Sequence, residues 1–176
     1  MAAYGYITRK FIRYGEIITE HLAPSAITAS KIANGAVLSA KVDENVMQYV
    51  TVDIPSAAIL TMNATPVMLV PGQAGKVISF AGATLMLDYG GVQYATNGTL
   101  QVIEETSGTV LSTTVANTLL FAAADRVSSC KPITTDVVLT AAGGKGIQLF
   151  VPTGNPTAGT GVLRVKVAYR VHATGF

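Results

Sequence analysis

The chain has 176 residues and a formal net charge of +2, and 49% of its residues are hydrophobic whereas only 12% are charged. No apolar run approaches the roughly 18 residues of a membrane-spanning helix, and no basic stripe indicates a nucleic-acid binder, so we expect neither partner. The charged fraction is about half of the roughly 25% usual in soluble domains, which predicts that neighbouring proteins in an assembly cover much of the surface.

The first predicted element, residues 4–22, is ambiguous between a short helix and an irregular arm. Its apolar residues have helical spacing, but Gly15 interrupts them and β-branched residues are common. Three aromatic residues, Tyr4, Tyr6 and Phe11, either anchor this segment to a partner or pack on the chain's own domain. Basic residues break the apolar stretches near the start, so the sequence predicts no secretory signal.

A ten-residue repeat follows in "APSAITASKIANGAVLSAKV", residues 23–42. Its apolar residues Ile27, Ile32, Val37 and Val42 recur every five residues, a period that fits neither a helix nor a simple strand. We predict that residues 1–47 form an extended N-terminal arm that touches neighbouring surfaces at intervals, and its twenty repeat residues would span roughly 60 to 70 Å. The alternative is a flexible linker rich in alanine and serine.

From residue 48 onward the alternation of apolar and polar residues predicts short strands separated by glycine and proline turns. About eight strands without alternating helices indicate an all-β fold, a β-sandwich or jelly-roll domain over residues 48–176. Gly82 is predicted to bend a long strand, Lys76 to Tyr89. The predicted strands are 49–54, 65–70, 76–89, the hairpin 99–106 and 109–115, 136–141, 146–151 and 162–172.

Two further segments complete the prediction. Asn117 to Val127 is predicted as a helix with Asn117 as its cap. The last strand has one apolar face, which we expect in the core, and one basic face that includes Arg164 and Lys166. The basic face is either a solvated outer surface, which we favour, or a docking surface for an acidic partner.

Residues for catalysis are scarce, so we predict that the chain is not an enzyme and holds no cofactor or metal. The two histidines, His21 and His172, lie near opposite ends of the chain, and the single cysteine is expected to be buried. The segment "AAGGKG" lacks the first glycine and the Ser/Thr of a phosphate-binding loop. The carboxylates best suited to glycosidase chemistry are Asp88, Glu104 and Glu105. They would serve a depolymerase that releases sugars, which is the hypothesis we favour least.

The repeat "AITASKIANGAVLSAKV" resembles segments of tailed-bacteriophage structural proteins, both fibre proteins and head-attached proteins. The stretch "TPVMLVPGQAGKVISFAGATLMLDYGG" is similar to small β-sandwich domains of phage virion proteins. The resemblance implies a homotrimeric virion component, assembled in the host cytoplasm and located on the capsid exterior, whose partners are further copies of itself and the major capsid protein. The expected interaction residues of the arm are Tyr6, Phe11, Ile27, Lys31, Ile32, Gly35, Val37, Lys41 and Val42.

Two functions follow as hypotheses. The first is a capsid cement, or decoration, protein that binds the head lattice through its arm and stabilises the shell. The alternative is a tail-fibre or adaptor protein whose β-sandwich binds a host surface glycan. The second hypothesis needs exposed aromatic residues in the loops, and Tyr89 and Tyr94 are the best candidates.

Overall fold

The structure is a computed structural model that describes residues 46–133, 139 and 144–175. These residues form strands with one short helix, which confirms the predicted all-β fold class. Residues 1–45 of the predicted arm, with all of its candidate residues, lie outside the described residues, as does most of the predicted strand 136–141. In chain order the elements are β1 (Gln48–Ile54), α1 (Ser56–Ile59), β2 (Val67–Val70), β3 (Lys76–Asp88), β4 (Tyr94–Ala95), β5 (Gln101–Glu104), β6 (Arg126–Cys130), β7 (Ile147–Phe150), β8 (Thr157–Ala158) and β9 (Val162–Ala173).

The largest sheet is antiparallel and has four strands in the order β1-β9-β3-β6. Its central strand β9 alternates as the sequence predicts, because successive side chains of a strand point to opposite sides of the sheet. Leu163, Val165 and Val167 are fully buried, whereas Arg164 and Lys166 between them are exposed. One side of this sheet is therefore core and the other is surface.

A second antiparallel sheet has three strands in the order β2-β7-β5. Its buried residues, such as Leu69 of β2 and Leu149 of β7, belong to the same hydrophobic cluster as Leu163 and Val165 of the large sheet. A core shared between two sheets is the way in which a sandwich buries the apolar side of each layer. The jelly-roll connection of the strands stays a prediction.

Strand β3 contains the irregularity that Gly82 predicts. Phe80 pairs with Tyr169 of β9 and Gly82 pairs with the next residue, Ala168, so Ala81 is an extra residue without a partner in β9. Gly82 has a φ of +150°, which side chains rarely adopt. The bulge lets Phe80 and Ala83 both face the core although they are three positions apart.

The predicted hairpin at 99–115 forms with one regular strand and one irregular one. Residues 109–115 follow β5 through isolated bridges, Leu100 to Val115 and Ile103 to Val110. The amide of Glu104 donates to the carbonyl of Thr109 at 2.8 Å, which closes the turn. The pairing of the two segments is therefore as predicted, although the second one is not a continuous strand.

The predicted helix at 117–127 is wrong. A single turn forms, in which the amide of Phe121 donates to the carbonyl of Asn117 at 3.0 Å, and the chain then enters β6 at Arg126. Residues 123–127 are all exposed, so a longer helix would have had no apolar face to bury, and packing of such a face supplies most helical stability. Pairing of β6 with β3 satisfies the backbone groups instead. The short helix α1, directly after Pro55, was not predicted.

Candidate interaction surface

The outer face is the side of the four-stranded sheet that is turned away from the core. Cross-strand pairing arranges its side chains in three rows, one that runs from β1 across β9 to β3 and two that continue to β6. The rows are Tyr49, Ala168 and Gly82; then Thr51, Lys166, Thr84 and Ser129; then Asp53, Arg164, Met86 and Val127.

The outer face carries apolar side chains that remain in contact with solvent. Tyr49 on β1 is 64% exposed and Val127 on β6 is 66% exposed, at the two edges of the sheet, and Val162 on β9 is 37% exposed. In the described part of the chain five large hydrophobic residues are exposed, and these are three of them. The three residues share one side of the same sheet but do not form a single contiguous patch.

An ion pair occupies the third row. The guanidinium of Arg164 donates from Nε to Asp53 Oδ1 at 2.7 Å and from its terminal nitrogen to Oδ2 at 3.3 Å. The hydrogen bond from Arg164 holds the pKa of the Asp53 carboxyl below its ordinary value, and the same bond raises the pKa of Arg164. The positive charge of Arg164 is therefore balanced by the carboxylate of Asp53 in the same row.

Lys166 in the second row lies beside an aromatic ring rather than a carboxylate. Its Nζ is 5.6 Å from the centroid of the Tyr49 ring, within the range of a cation–π contact. The contact links β1 to β9 and holds the Tyr49 ring at the edge of the face. The lysine ammonium keeps its hydrogen-bonding capacity for another partner.

Two shallow depressions lie side by side on the outer face. The first, of about 350 Å³, is lined by Asp88 and Asp125 as well as Arg126 and Arg164. The second, of about 450 Å³, is lined by Tyr49, Lys131 and Lys166, by hydroxyl groups and by small residues. The first therefore has mixed charge, and the second has only cationic charge.

The residues considered for glycoside chemistry are separated and locally bonded. Glu104 is buried and its Oε2 accepts a hydrogen bond from Ser107 Oγ at 2.5 Å, while Glu105 Oε2 accepts one from the Gly146 amide at 2.9 Å. Asp88 ends β3 on the opposite sheet. The structure does not bring these three carboxylates together as an acid and base pair.

The prediction that Tyr94 offers an exposed ring for a glycan is wrong. Tyr94 is 2% exposed, and its hydroxyl donates to the carbonyl of Gly161 at 2.5 Å. Burial raises the pKa of its hydroxyl to about 12. Tyr89 is half-buried, and its hydroxyl donates to the Gly91 carbonyl at 2.7 Å. Cys130 is buried, as predicted, and burial raises the pKa of its thiol.

Within residues 46–133, 139 and 144–175, no three His, Cys, Asp or Glu side chains come together in a way that could hold a metal ion. In the same part of the chain, no helix has the length and apolar character needed to span a bilayer.

Sequence patterns identified part of the outer face. They predicted the basic side of β9, where the structure places Arg164 and Lys166. The candidate arm residues lie outside the described part of the chain. Tyr49 and Val127 were missed as partners of this face because the strand order that brings β1 and β6 beside β9 and β3 is not encoded in local alternation.

Comparisons with known proteins give one distant likeness. No protein-family description matches the chain, and no curated protein matches it. The chain is similar to a solved chain described as "Cyanophage Pam1 capsid asymmetric unit", with 19% sequence identity over 71% of this chain and 83% of that chain, at a TM-score of 0.43. At this TM-score the likeness carries no argument about this chain.

Proposed function

We propose that the chain is a structural protein of a bacteriophage virion that decorates the outside of the capsid. In this role it associates with further copies of itself, as a homotrimer, and binds the major capsid protein so that the shell is stabilised. It is assembled in the cytoplasm of the host and acts by binding alone, with neither catalysis nor a cofactor.

One observation carries the proposal: the uncovered apolar side chains of the outer face occur on a chain that is poor in charge. Tyr49 and Val127 are more than 60% exposed at opposite edges of the same four-stranded sheet. Burial against a neighbour would contribute about 25 cal/mol for each Å² of apolar surface removed from water. Their exposure on a chain with only 12% charged residues is what supports membership of an assembly.

The arm supplies the second part of the proposal. In the sequence, Ile27, Ile32 and Val37 recur every five residues between small residues, and we propose that they bury on adjacent subunits or on the shell. A few hundred Å² of apolar contact per copy becomes strong attachment when the three copies of a trimer bind together, because later contacts form at high effective concentration.

The lack of catalysis is part of the same proposal. Glu104 accepts a hydrogen bond from Ser107, and Glu105 accepts one from the Gly146 amide. These bonds support a role in holding the 104–109 turn and the start of β7 in place. The buried ring of Tyr94 removes one of the two aromatic residues on which the glycan-binding alternative depended.

Binding to capsids tests the proposal directly. Phage heads prepared without this protein are mixed with the full chain, and bound protein is measured by co-sedimentation and located by cryo-electron microscopy. The triple variant Ile27→Ser, Ile32→Ser, Val37→Ser should bind at least 10-fold more weakly. The matched control Ala29→Ser, Ala33→Ser, Ala36→Ser adds the same hydroxyl groups between the apolar positions and should bind normally.

Deletion of residues 1–46 separates the two functions considered. A decoration protein loses binding to heads but remains a soluble trimer in analytical ultracentrifugation. A receptor-binding protein would instead still attach to host cells. Attachment to cells without any binding to heads would overturn the proposal.

A further inference from the structure

We propose that the second depression of the outer face is a docking site for an acidic segment of a partner protein. We call it the lysine depression, and its lining includes Tyr49, Gly82, Thr84, Ser129, Lys131 and Lys166. The inference rests on the proposed function and deepens it, because it assigns one chemistry to the partner of this surface.

Charge is the first argument. Lys131 and Lys166 both line the depression and no carboxylate lines it. In the part of the chain that the structure describes, neither ammonium forms an ion pair with an Asp or Glu, whereas the neighbouring Arg164 is paired with Asp53. The lysine depression therefore has two positive charges and no carboxylate in its lining.

Shape is the second argument. Gly82 and Ala168 face each other across β3 and β9 and form part of the depression, so its floor lies close to the level of the sheet backbone. An extended peptide can approach such a floor closely. Its volume of about 450 Å³ falls in the range of ligand clefts, and the exposed ring of Tyr49 offers an apolar wall at one side.

The polar groups are placed for a carboxylate. Thr84 and Ser129 stand in the same row as Lys166, and Lys131 follows Ser129 by two residues. A carboxylate between the two ammonium groups would accept charge-assisted hydrogen bonds from the lysines, with hydroxyl donors available beside them. The occupant is thus a protein segment that carries Asp or Glu next to an apolar side chain.

A protein segment suits this surface better than a nucleic acid. Binding of a phosphate backbone requires a continuous run of basic residues. Here Asp53 lies two residues from Thr51 on the same side of β1, and Asp88 and Asp125 line the adjacent depression. The basic residues therefore do not form a continuous run past the two lysines.

Titration followed by NMR tests the inference without knowledge of the natural partner. The probe is a synthetic eight-residue peptide with four Glu and two Leu, and the control is the same peptide with Gln in place of Glu. The Glu peptide should produce saturable shifts at the amides of Gly82, Thr84, Ser129 and Lys131, and these shifts should weaken as salt is raised. The Gln peptide should produce none.

Variants locate the binding. Lys131→Glu with Lys166→Glu should weaken binding of the Glu peptide at least 10-fold, and the neutral pair Lys131→Gln with Lys166→Gln should do so to a smaller extent. Lys145→Glu is the control, because Lys145 contacts Thr106 away from the outer face. Equal loss in the Lys145 variant, unchanged binding by both lysine pairs, or tighter binding of a short DNA strand would overturn the inference.

The head-binding assay separates this inference from the proposed function. If the intact chain binds heads and Lys131→Glu with Lys166→Glu binds equally well, the lysine depression is not the docking site and the decoration role stands. If the intact chain binds no heads but the Glu peptide binds at the depression, the decoration role fails and the docking site stands.

Discussion

Asp53 on β1 and Arg164 on β9 are direct cross-strand partners, and their side chains form a two-point ion pair at the surface of the outer face. Both side chains are more than half exposed, so solvent screens the pair and its contribution to stability is small. Its clearest signature is the lowered pKa of Asp53.

We therefore predict that Arg164→Gln returns the pKa of Asp53 toward its ordinary value of 3.8. Because the folded-state pKa is lowered, the stabilisation is present above about pH 3.8 and is lost as pH falls through the folded-state value. Carboxyl NMR titration measures the shift. Arg170→Gln, on the same strand but away from Asp53, should leave the pKa of Asp53 unchanged.

The core position of Leu163 predicts a large loss of stability on truncation. Leu163 is 0% exposed and lies between the two sheets, so Leu163→Ala should lower the free energy of unfolding by about 2 to 5 kcal/mol. Thr51→Ala, at an exposed position of β1, should change it by no more than about 0.5 kcal/mol. Urea unfolding followed by circular dichroism measures both. Equal effects would contradict the assignment of inner and outer sides.

Alanine substitutions at Gly159 and Gly91 distinguish the cost of backbone strain from the cost of a steric overlap. Both have positive φ, +89° and +97°, so replacement by alanine should cost each roughly 1 kcal/mol from the backbone. A Cβ at Gly159 would also overlap the ring of Tyr94, whereas a Cβ at Gly91 meets no atom within 4 Å. Gly159→Ala should therefore be the more destabilising variant by at least about 1 kcal/mol, as measured by thermal unfolding.

Tyr94 and Tyr89 offer a matched pair of hydroxyl groups. Tyr94→Phe leaves the buried carbonyl of Gly161 without this donor and should cost about 1 to 3 kcal/mol of unfolding free energy. Tyr89→Phe removes a bond to the Gly91 carbonyl that is open to solvent although the residue is half-buried. Water can replace this bond, so the variant should cost less than about 0.5 kcal/mol.

Alkaline pH gives a second test of Tyr94. Its pKa is raised from 10.0 to about 12 in the folded state, so its contribution to stability is fully present below pH 10 and is lost as pH rises from 10 to 12. Unfolding free energies measured across this range should fall more steeply for the native chain than for Tyr94→Phe. Parallel curves would contradict the burial of this hydroxyl.

Local alternation predicted the strands that have one buried side, because burial imposes a period of two on the sequence. The clearest examples are β9 and the part of β3 after its bulge. The same reasoning failed at 117–127, where three alanines favour a helix but the chain is needed at the edge of β3. A sequence pattern reflects the secondary structure that each short segment prefers on its own. Whether β3 needs a further strand at its edge depends on the whole sheet and can override that preference.

The outer face was only half predictable for the same reason. Lys166 is visible in the alternation of β9, but Tyr49 precedes it by more than a hundred residues and Ser129 precedes it by more than thirty. Only the strand order brings these side chains into one row or adjacent rows. When the side chains of one surface come from strands far apart in the sequence, their spacing along the chain gives no motif that could be recognised.

The bulge at Ala81 has a consequence for how this chain tolerates change in length. Since Phe80 and Gly82 already pair with adjacent residues of β9, loss of Ala81 would restore an uninterrupted ladder and leave every other cross-strand pair in register. A one-residue deletion elsewhere in β3 would exchange inward and outward side chains along the remainder of the strand. Ala81 is therefore the position at which this strand can be shortened, and its presence adds local coiling rather than contacts.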